Sequence, residues 1–274
     1  MNILICGDVV GRSGRRAVCE ALPHLRRDLG LDFIVVNGEN AAGGFGITPK
    51  ICDQLLEAGA DVITTGNHAW DQKEIVPHFD REKRLLRPQN YPEGTPGTGV
   101  ALFPDHQGRQ VLMLHFMALL FMQTLDDPFA GVDLALLNRH LGTDISAIIL
   151  DFHGEATSEK MAMGHMLDGR VSAVVGTHSH VPTADAQVLP GGTAYISDIG
   201  MCGDYDSVIG MKKEGSIQRF RRKLPGPRLE AAQGEATLCA VLIETDDETG
   251  LAKRIEPLRM GGRLSQALPA ATGV

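Results

Sequence analysis

The sequence predicts an α/β protein built on a parallel sheet, and three observations carry the prediction. Short β-branched or apolar runs at 2–6 (NILIC), 33–36 (FIVV) and 61–65 (DVITT) alternate with helical-looking segments, the rhythm of a βαβαβ unit. A second such unit follows, with runs at Ala147–Leu150 and Val171–Val175 around a helical segment from Ser158 to Leu167. Polar residues then gather just past the ends of these runs, where open α/β sheets keep their ligands.

Taken in order, the first helix is expected from Arg12 to Leu29, stopped by Gly30, with Pro23 inside it predicting a kink or break. The second has clearer punctuation: Thr48 as N-cap, Pro49 at the first helical position and Gly59 as its stop. Past Asp71 the pattern loosens, and Arg87 to Gly99 reads as a connection between two halves of one domain before apolar runs resume at 100–103 and 111–117. Ser158 is the expected cap of the next helix and Gly169 its stop. Runs at Thr237–Glu244 and Ala252–Leu258 flank Asp246–Gly250, the pattern of a hairpin, so the sheet should be mixed. One domain over 1–274 is expected, with Leu268 to Val274 a frayed tail.

Composition narrows the class. The 274 residues are 43% hydrophobic and 22% charged, enough for a large core without staples. Cys6, Cys19, Cys52, Cys202 and Cys239 are scattered and never form a C-x-x-C pair, which argues against a disulfide framework or thiolate zinc knuckle and for a reducing cytoplasm. Asn2–Cys6 opens as a strand rather than a signal peptide, and the longest apolar stretch, Val111–Met122, falls short of the roughly 20 residues a membrane span needs. A cytoplasmic protein with no membrane partner is the expectation. The net charge of -8 disfavours extended nucleic acid, although a small phosphate ester could bind where metal ions reverse the sign locally.

Asp8, Glu39, Asn67 and His178 stand within a few residues of strand ends, in the contexts Gly7-Asp8, Gly38-Glu39-Asn40, Gly66-Asn67-His68 and Gly176-Thr-His178-Ser-His180. Glycine lets the backbone turn and keeps the approach open. In an extended segment His178 and His180 would project to one side. With Asn40 and His153 they make a nitrogen–oxygen donor set without thiolate, which suits manganese, iron or zinc, magnesium being a poorer match. Such a set exceeds the needs of one ion and would serve two, roughly 3.5–4 Å apart and bridged by a carboxylate.

GDVVGRSGR at 7–15, NGEN at 37–40, GNHAWD at 66–71, DFHGEATSEK at 151–160, GTHSHVPTAD at 176–185 and LPGGTAYISDIGM at 189–201 together resemble the YmdB-type branch of the calcineurin-like metallophosphoesterases. The resemblance covers most of 1–211, in order. Val10 and Glu39 stand where the wider superfamily usually has histidine and aspartate, as they do in that branch. The resemblance implies a four-layer fold of two sheets flanked by helices, two divalent ions of iron or manganese type, and phosphodiesterase activity on small diesters, 2′,3′- or 3′,5′-cyclic nucleotides among them. It also suggests a homo-oligomer. By position it implies Asp8, Asn40 and His180 on one ion, Glu39 bridging, Asn67, His153 and His178 on the other, and His68 as proton donor to the leaving oxygen. Attack by a metal-bridging hydroxide would follow, since two divalent ions leave the centre net positive towards a singly charged diester. Around His115–Leu120 the sequence departs from a more polar Asn…Gly-Arg segment, which puts substrate contacts there in question.

Each residue alone has a plainer reading: Asp8 as a turn aspartate, Asn67-His68 as turn residues, His153 as a core histidine. Their coincidence at one sheet edge favours the joint site. Gly7-x3-Gly11-x2-Gly14 lacks dinucleotide spacing and places Asp8 against phosphates. Asp198, Asp204 and Asp206 read as solvated turn carboxylates, and Arg219, Arg221, Arg222 and Lys223 as a solvated basic face. The competing functional class is a regulatory metal- or nucleotide-binding protein whose hydrolysis is incidental.

Overall fold

The computed structural model describes residues 1–224 and 226–269, so most of the expected tail lies outside the described residues. The chain begins with β1 (Asn2–Cys6), β2 (Asp8–Val9), α1 (Gly11–Asp28), β3 (Phe33–Asn37), α2 (Pro49–Glu57) and β4 (Val62–Thr64). After a 3-10 turn at Lys73–His78 come β5 (Val100–Pro104), β6 (Gln110–Met117), α3 (Pro128–Ala135), β7 (Ala147–His153), α4 (Thr157–Met166) and β8 (Ala173–Thr177). The last elements are β9 (Gln187–Val188), β10 (Ala194–Ile196), β11 (Met201–Asp204), α5 (Lys213–Arg222), β12 (Ala236–Thr245) and β13 (Ala252–Met260).

Two mixed sheets result. One runs β2-β11-β12-β1-β3-β4 with β13 beside β12, the other β5-β6-β7-β8-β10-β9. Alternation along the strands makes the layers. In β1, Ile3 and Ile5 pack with Phe33 and Val35 against Val111, Met113, Ile149 and Val175 of the second sheet. Leu4 and Cys6 point the other way, onto Val18 and Leu22 of α1 and Cys52 and Leu55 of α2. The second sheet covers its far face with Val132, Leu136, Met163 and Leu167 in and after α3 and α4. This is the expected four-layer arrangement. Strands β1, β3 and β4 are parallel, as are β6, β7 and β8, so each set presents its carboxyl ends at one edge.

Several boundaries differ from expectation. Helix α1 runs unbroken through Pro23: Val18, Leu22 and Leu25 are buried, at about 1.5–3 kcal/mol each, which outweighs the roughly 3 kcal/mol cost of an internal proline. Helix α2 forms as read, with the Thr48 hydroxyl accepting from the Ile51 amide. Helix α4 starts at Thr157 after an Ala156 that makes no side-chain cap, not after Ser158. Its start is set by tertiary contacts: Glu159 accepts the amides of Leu119 and Leu120, and Lys160 turns inward to Asp198. Strand β8 lies two residues later than read because its register with β7 pairs Ile149 with Ala173 and His153 with Thr177. Asp198 and Asp204 are buried rather than solvated; the first takes Lys160, the second the Asp206 and Gly234 amides. Asp206 and the Arg219–Lys223 face are exposed. Among the described residues no helix is long and apolar enough to cross a membrane.

Candidate metal centre

The carboxyl edges of the two parallel strand sets meet. Asp8 follows β1, Glu39 and Asn40 follow β3, Asn67 and His68 follow β4, His153 ends β7, and His178 and His180 follow β8. Their donor atoms fall into two groups. Glu39, His153 and His178 each offer an atom within 4.8 Å of the others, and so do Asp8, Glu39 and His180, with Glu39 common to both. Asn67 Oδ1 joins the first group, 3.1 Å from His153 Nε2, and Asn40 Oδ1 the second, 3.2 Å from His180 Nε2. Asp8, Glu39, Asn40, His153 and His180 are buried.

The hydrogen bonds behind these residues decide which lone pairs face inward. The Thr177 hydroxyl donates to Asp151 Oδ1 at 2.7 Å, so Thr177 Oγ1 must accept from His153 Nδ1–H at 2.9 Å. His153 Nε2 is thereby left towards Glu39 Oε1 at 3.2 Å, Asn67 Oδ1 at 3.1 Å and His178 Nδ1 at 3.1 Å. In the other group the Ile209 carbonyl takes His180 Nδ1–H at 2.8 Å, and Asn40 spends its amide donor on the Gly44 carbonyl. His180 Nε2 and Asn40 Oδ1 then face each other as two acceptors. Asp8 Oδ1 is buried with no hydrogen-bond partner. A convergence of acceptors with so few protons to share suits cations, and the donor set of imidazole, carboxylate and amide oxygen is one that divalent transition metals accept.

The electrostatics point the same way. Burial pushes the Asp8 carboxyl up to about 6 against the pull of His180 and His153. Burial also raises Glu39, but the charge and hydrogen bond of His153 more than offset it and leave the carboxyl well below its usual range. Burial lowers His153, yet Glu39 and Asp8 together lift it to about 9. Burial and that neighbouring charge hold His178 down at about 3. A single proton on His153 thus stands in for the positive charge that two buried carboxylates demand.

The backbone is shaped for this convergence. Strand β8 ends at Thr177, and His178 and His180 have φ of 103° and 65°, a left-handed region that costs of order 1–3 kcal/mol for residues with a Cβ. The segment is therefore a turn, not an extended strand, and it sends the two rings to different groups rather than to a shared side. A Cβ at Gly66 would lie 2.2 Å from Glu39 Oε2 and 2.3 Å from His153 Nε2, so glycine there is a condition of the site. His68 stands at the mouth: its amide reaches Glu39 Oε2 at 3.2 Å, Nδ1 lies 2.9 Å from Asp71 Oδ2, and its ring meets Phe45 edge-on at 5.2 Å.

Sequence reasoning missed the supports. Asp71 orients His68; Thr177 and Asp151 orient His153. Buried Lys160 bridges the Thr177 carbonyl and Asp198, and Asp198 accepts the Ser179 amide, pinning the turn that carries both histidines. Asp71, Thr177 and Lys160 sat inside quoted motifs, so adjacency to a ligand was the available signal. His115, in the segment whose substrate contacts were in question, is fully buried in β6 with Nδ1 towards the Asp151 carbonyl at 3.1 Å.

Comparison with known proteins identifies the family. The profile of the family described as YmdB-like protein matches residues 4–258. The chain is 48% identical over 256 residues to a 2′,3′-cyclic-nucleotide 2′-phosphodiesterase of Bacillus subtilis, covering 93% of this chain and 96% of that one. A solved structure of a hypothetical protein from Thermus thermophilus superimposes with a TM-score of 0.89 at 42% identity, covering 96% of this chain and all of the other. A structure described as a novel phosphatase from Mycoplasma pneumoniae gives 0.89 at 33% identity, covering 95% and 93%. With the family match running through both sheets and past every residue of the site, the chain belongs to the YmdB-like protein family.

Proposed function

We propose that this protein is a dinuclear metal-dependent phosphodiesterase acting on small phosphodiesters, with 2′,3′-cyclic nucleotides as the substrate class. One observation carries the reading: two groups of inward-facing lone pairs share Glu39, so one carboxylate can serve two cations. The name of the Bacillus subtilis relative supports the substrate class. Asp8, Asn40 and His180 would hold one ion, Asn67, His153 and His178 the other, and Glu39 both; iron or manganese suits the mixed set best, with zinc and magnesium as alternatives. Bound there, divalent ions supply Lewis-acid neutralisation of phosphoryl charge and bring water's pKa towards neutrality.

The chain's own residues do the rest. Asp71 accepts from His68 Nδ1–H and turns Nε2 to the mouth, where a proton can pass to the departing ribose oxygen. Thr177 and the Ile209 carbonyl fix the tautomers of His153 and His180. Lys160 and Asp198 hold the strained turn in place. We read 1–274 as one domain, and the five free thiols suit a reducing cytoplasm. The test is turnover of bis-p-nitrophenyl phosphate and 2′,3′-cyclic AMP by protein loaded in turn with Mn²⁺, Fe²⁺, Zn²⁺ or Mg²⁺. Metal-dependent hydrolysis of both is expected; no hydrolysis with any of the four metals would sink the reading.

A further inference from the structure

Beside the site lies a cleft of about 710 Å³ whose lining includes Arg12, Arg15, Gln72 and Arg228. None of these three arginines has a carboxylate partner among the described residues, in a protein whose net charge is -8. Arg15 donates to the Ala41 carbonyl, and burial together with the neighbouring Arg12 lowers its pKa. Glu230, the acid in the same lining, is committed to Lys212. The cleft therefore gathers positive charge that the fold leaves unbalanced.

Phe45 connects this cleft to the chemistry. Gly43, Gly44 and Gly46 take φ of 66°, 100° and 77° around it, and its carbonyl is held by Gln72 Nε2 at 2.7 Å. One side of the ring meets His68, the proposed proton donor. The Arg228 guanidinium lies 4.9 Å over its face. Phe45 thus stands between His68 and Arg228, and a nucleotide reaching past it would carry its far end into the cleft.

We infer that the Arg12–Arg15–Arg228 cleft binds a second phosphate of the substrate, on the 5′ side of the ribose that carries the cyclic phosphate. The inference rests on the phosphodiesterase reading above and narrows its substrate class to cyclic-phosphate ends that bear a 5′ phosphate. That phosphate could be a terminal monoester or the internucleotide diester of a short oligoribonucleotide. Guanidinium groups recognise either through charge-assisted hydrogen bonds.

The experiment compares kcat/KM for 2′,3′-cyclic AMP, its 5′-phosphorylated derivative, and a diadenosine dinucleotide ending in a 2′,3′-cyclic phosphate. Roughly tenfold preference for at least one phosphate-bearing substrate is expected from one or two new charge-assisted bonds, and the stronger of the two identifies the source. Arg12→Gln combined with Arg228→Gln should bring the ratio close to one, while Arg170→Gln, whose partner is the distant Asp133, should keep it. Because the ratio is taken within one preparation, partial misfolding does not alter it. Hydrolysis of all three at equal rates, or a preference that survives the double substitution, overturns this inference alone. Hydrolysis of none overturns the phosphodiesterase reading with it.

Discussion

Two carboxylate clusters sit at opposite edges of the molecule and resolve their charge in opposite ways. At the amino edge, before β3, Arg109 Nη2 lies 2.7 Å from Asp32 Oδ1 and 2.7 Å from Asp105 Oδ2. Asp105 also accepts the Gln107 and Arg109 amides, and Asp32 the Asn2 amide. Asp32, Asp105 and His106 have the spacing of a metal cluster too, but the protein has already supplied the cation. At the carboxyl edge Asp8 and Glu39 are more deeply buried, and the groups around them are imidazoles and amide oxygens rather than arginine or lysine. Closeness of acidic groups does not by itself make a metal site; what differs at the carboxyl edge is that the counter-charge is a proton on His153, which a cation could replace, rather than a fixed arginine.

That contrast is broken most severely at Glu39. Glu39→Gln should lower kcat by on the order of 10³-fold or more, because it removes the donor common to both groups. Without metal the variant should also melt below wild type near pH 7, because Glu39 and the protonated His153 form a buried pair and Glu39→Gln leaves that proton without its carboxylate partner. A metal-free Tm equal to wild type would mean that no proton on His153 serves as the counter-charge at the carboxyl edge. His68→Ala comes next, with kcat reduced about 10²–10⁴-fold and metal content by elemental analysis unchanged; loss of metal from that variant would turn His68 from proton donor into ligand.

Arg109→Met tests the other side. It leaves Asp105 and Asp32 without their shared cation, and a loss of about 1–3 kcal/mol is expected, the lower end allowing for the partial exposure of Arg109. Turnover should stay at the wild-type level, read by denaturant melts and by bis-p-nitrophenyl phosphate assays. If turnover fell along with stability, the two edges would be coupled.

The same contrast explains what was legible in the sequence. Glycine followed by a polar residue at successive strand ends marked Asp8, Glu39 and Asn67, because parallel strands deliver their carboxyl ends to one edge whatever lies between. The β1, β3 and β7 runs were legible for the related reason that buried parallel strands are almost wholly apolar. Asp198 was misread because a glycine-rich loop looks solvated until Lys160, 38 residues away, folds onto it. Ser158 was the better cap by residue type, yet Glu159 and Lys160 had to face inward, and tertiary contacts moved the helix start. The His178–His180 turn was hidden because histidine's modest tolerance of positive φ is too weak a signal to place two such residues in one turn; the surrounding contacts hold them there.

The smallest expected effect is the pH response of the amino edge. Burial pushes the Asp105 carboxyl up, but the hydrogen bonds and charge of Arg109, with the Gln107 amide, overcome it and hold the group below its unfolded value of 3.8. A carboxyl depressed on folding contributes stability that is fully present above the unfolded pKa and is lost as pH falls through the lower, folded one. Asp105→Asn removes that contribution, so its Tm should lie below wild type at pH 6–7, roughly two units above the ordinary carboxylate range, and the gap should narrow only below about pH 4. A gap that stayed constant down to pH 3 would show that Asp105 acts through its shape and backbone bonds rather than its charge. The amino edge would then no longer be the charge-balanced counterpart against which the carboxyl edge is read.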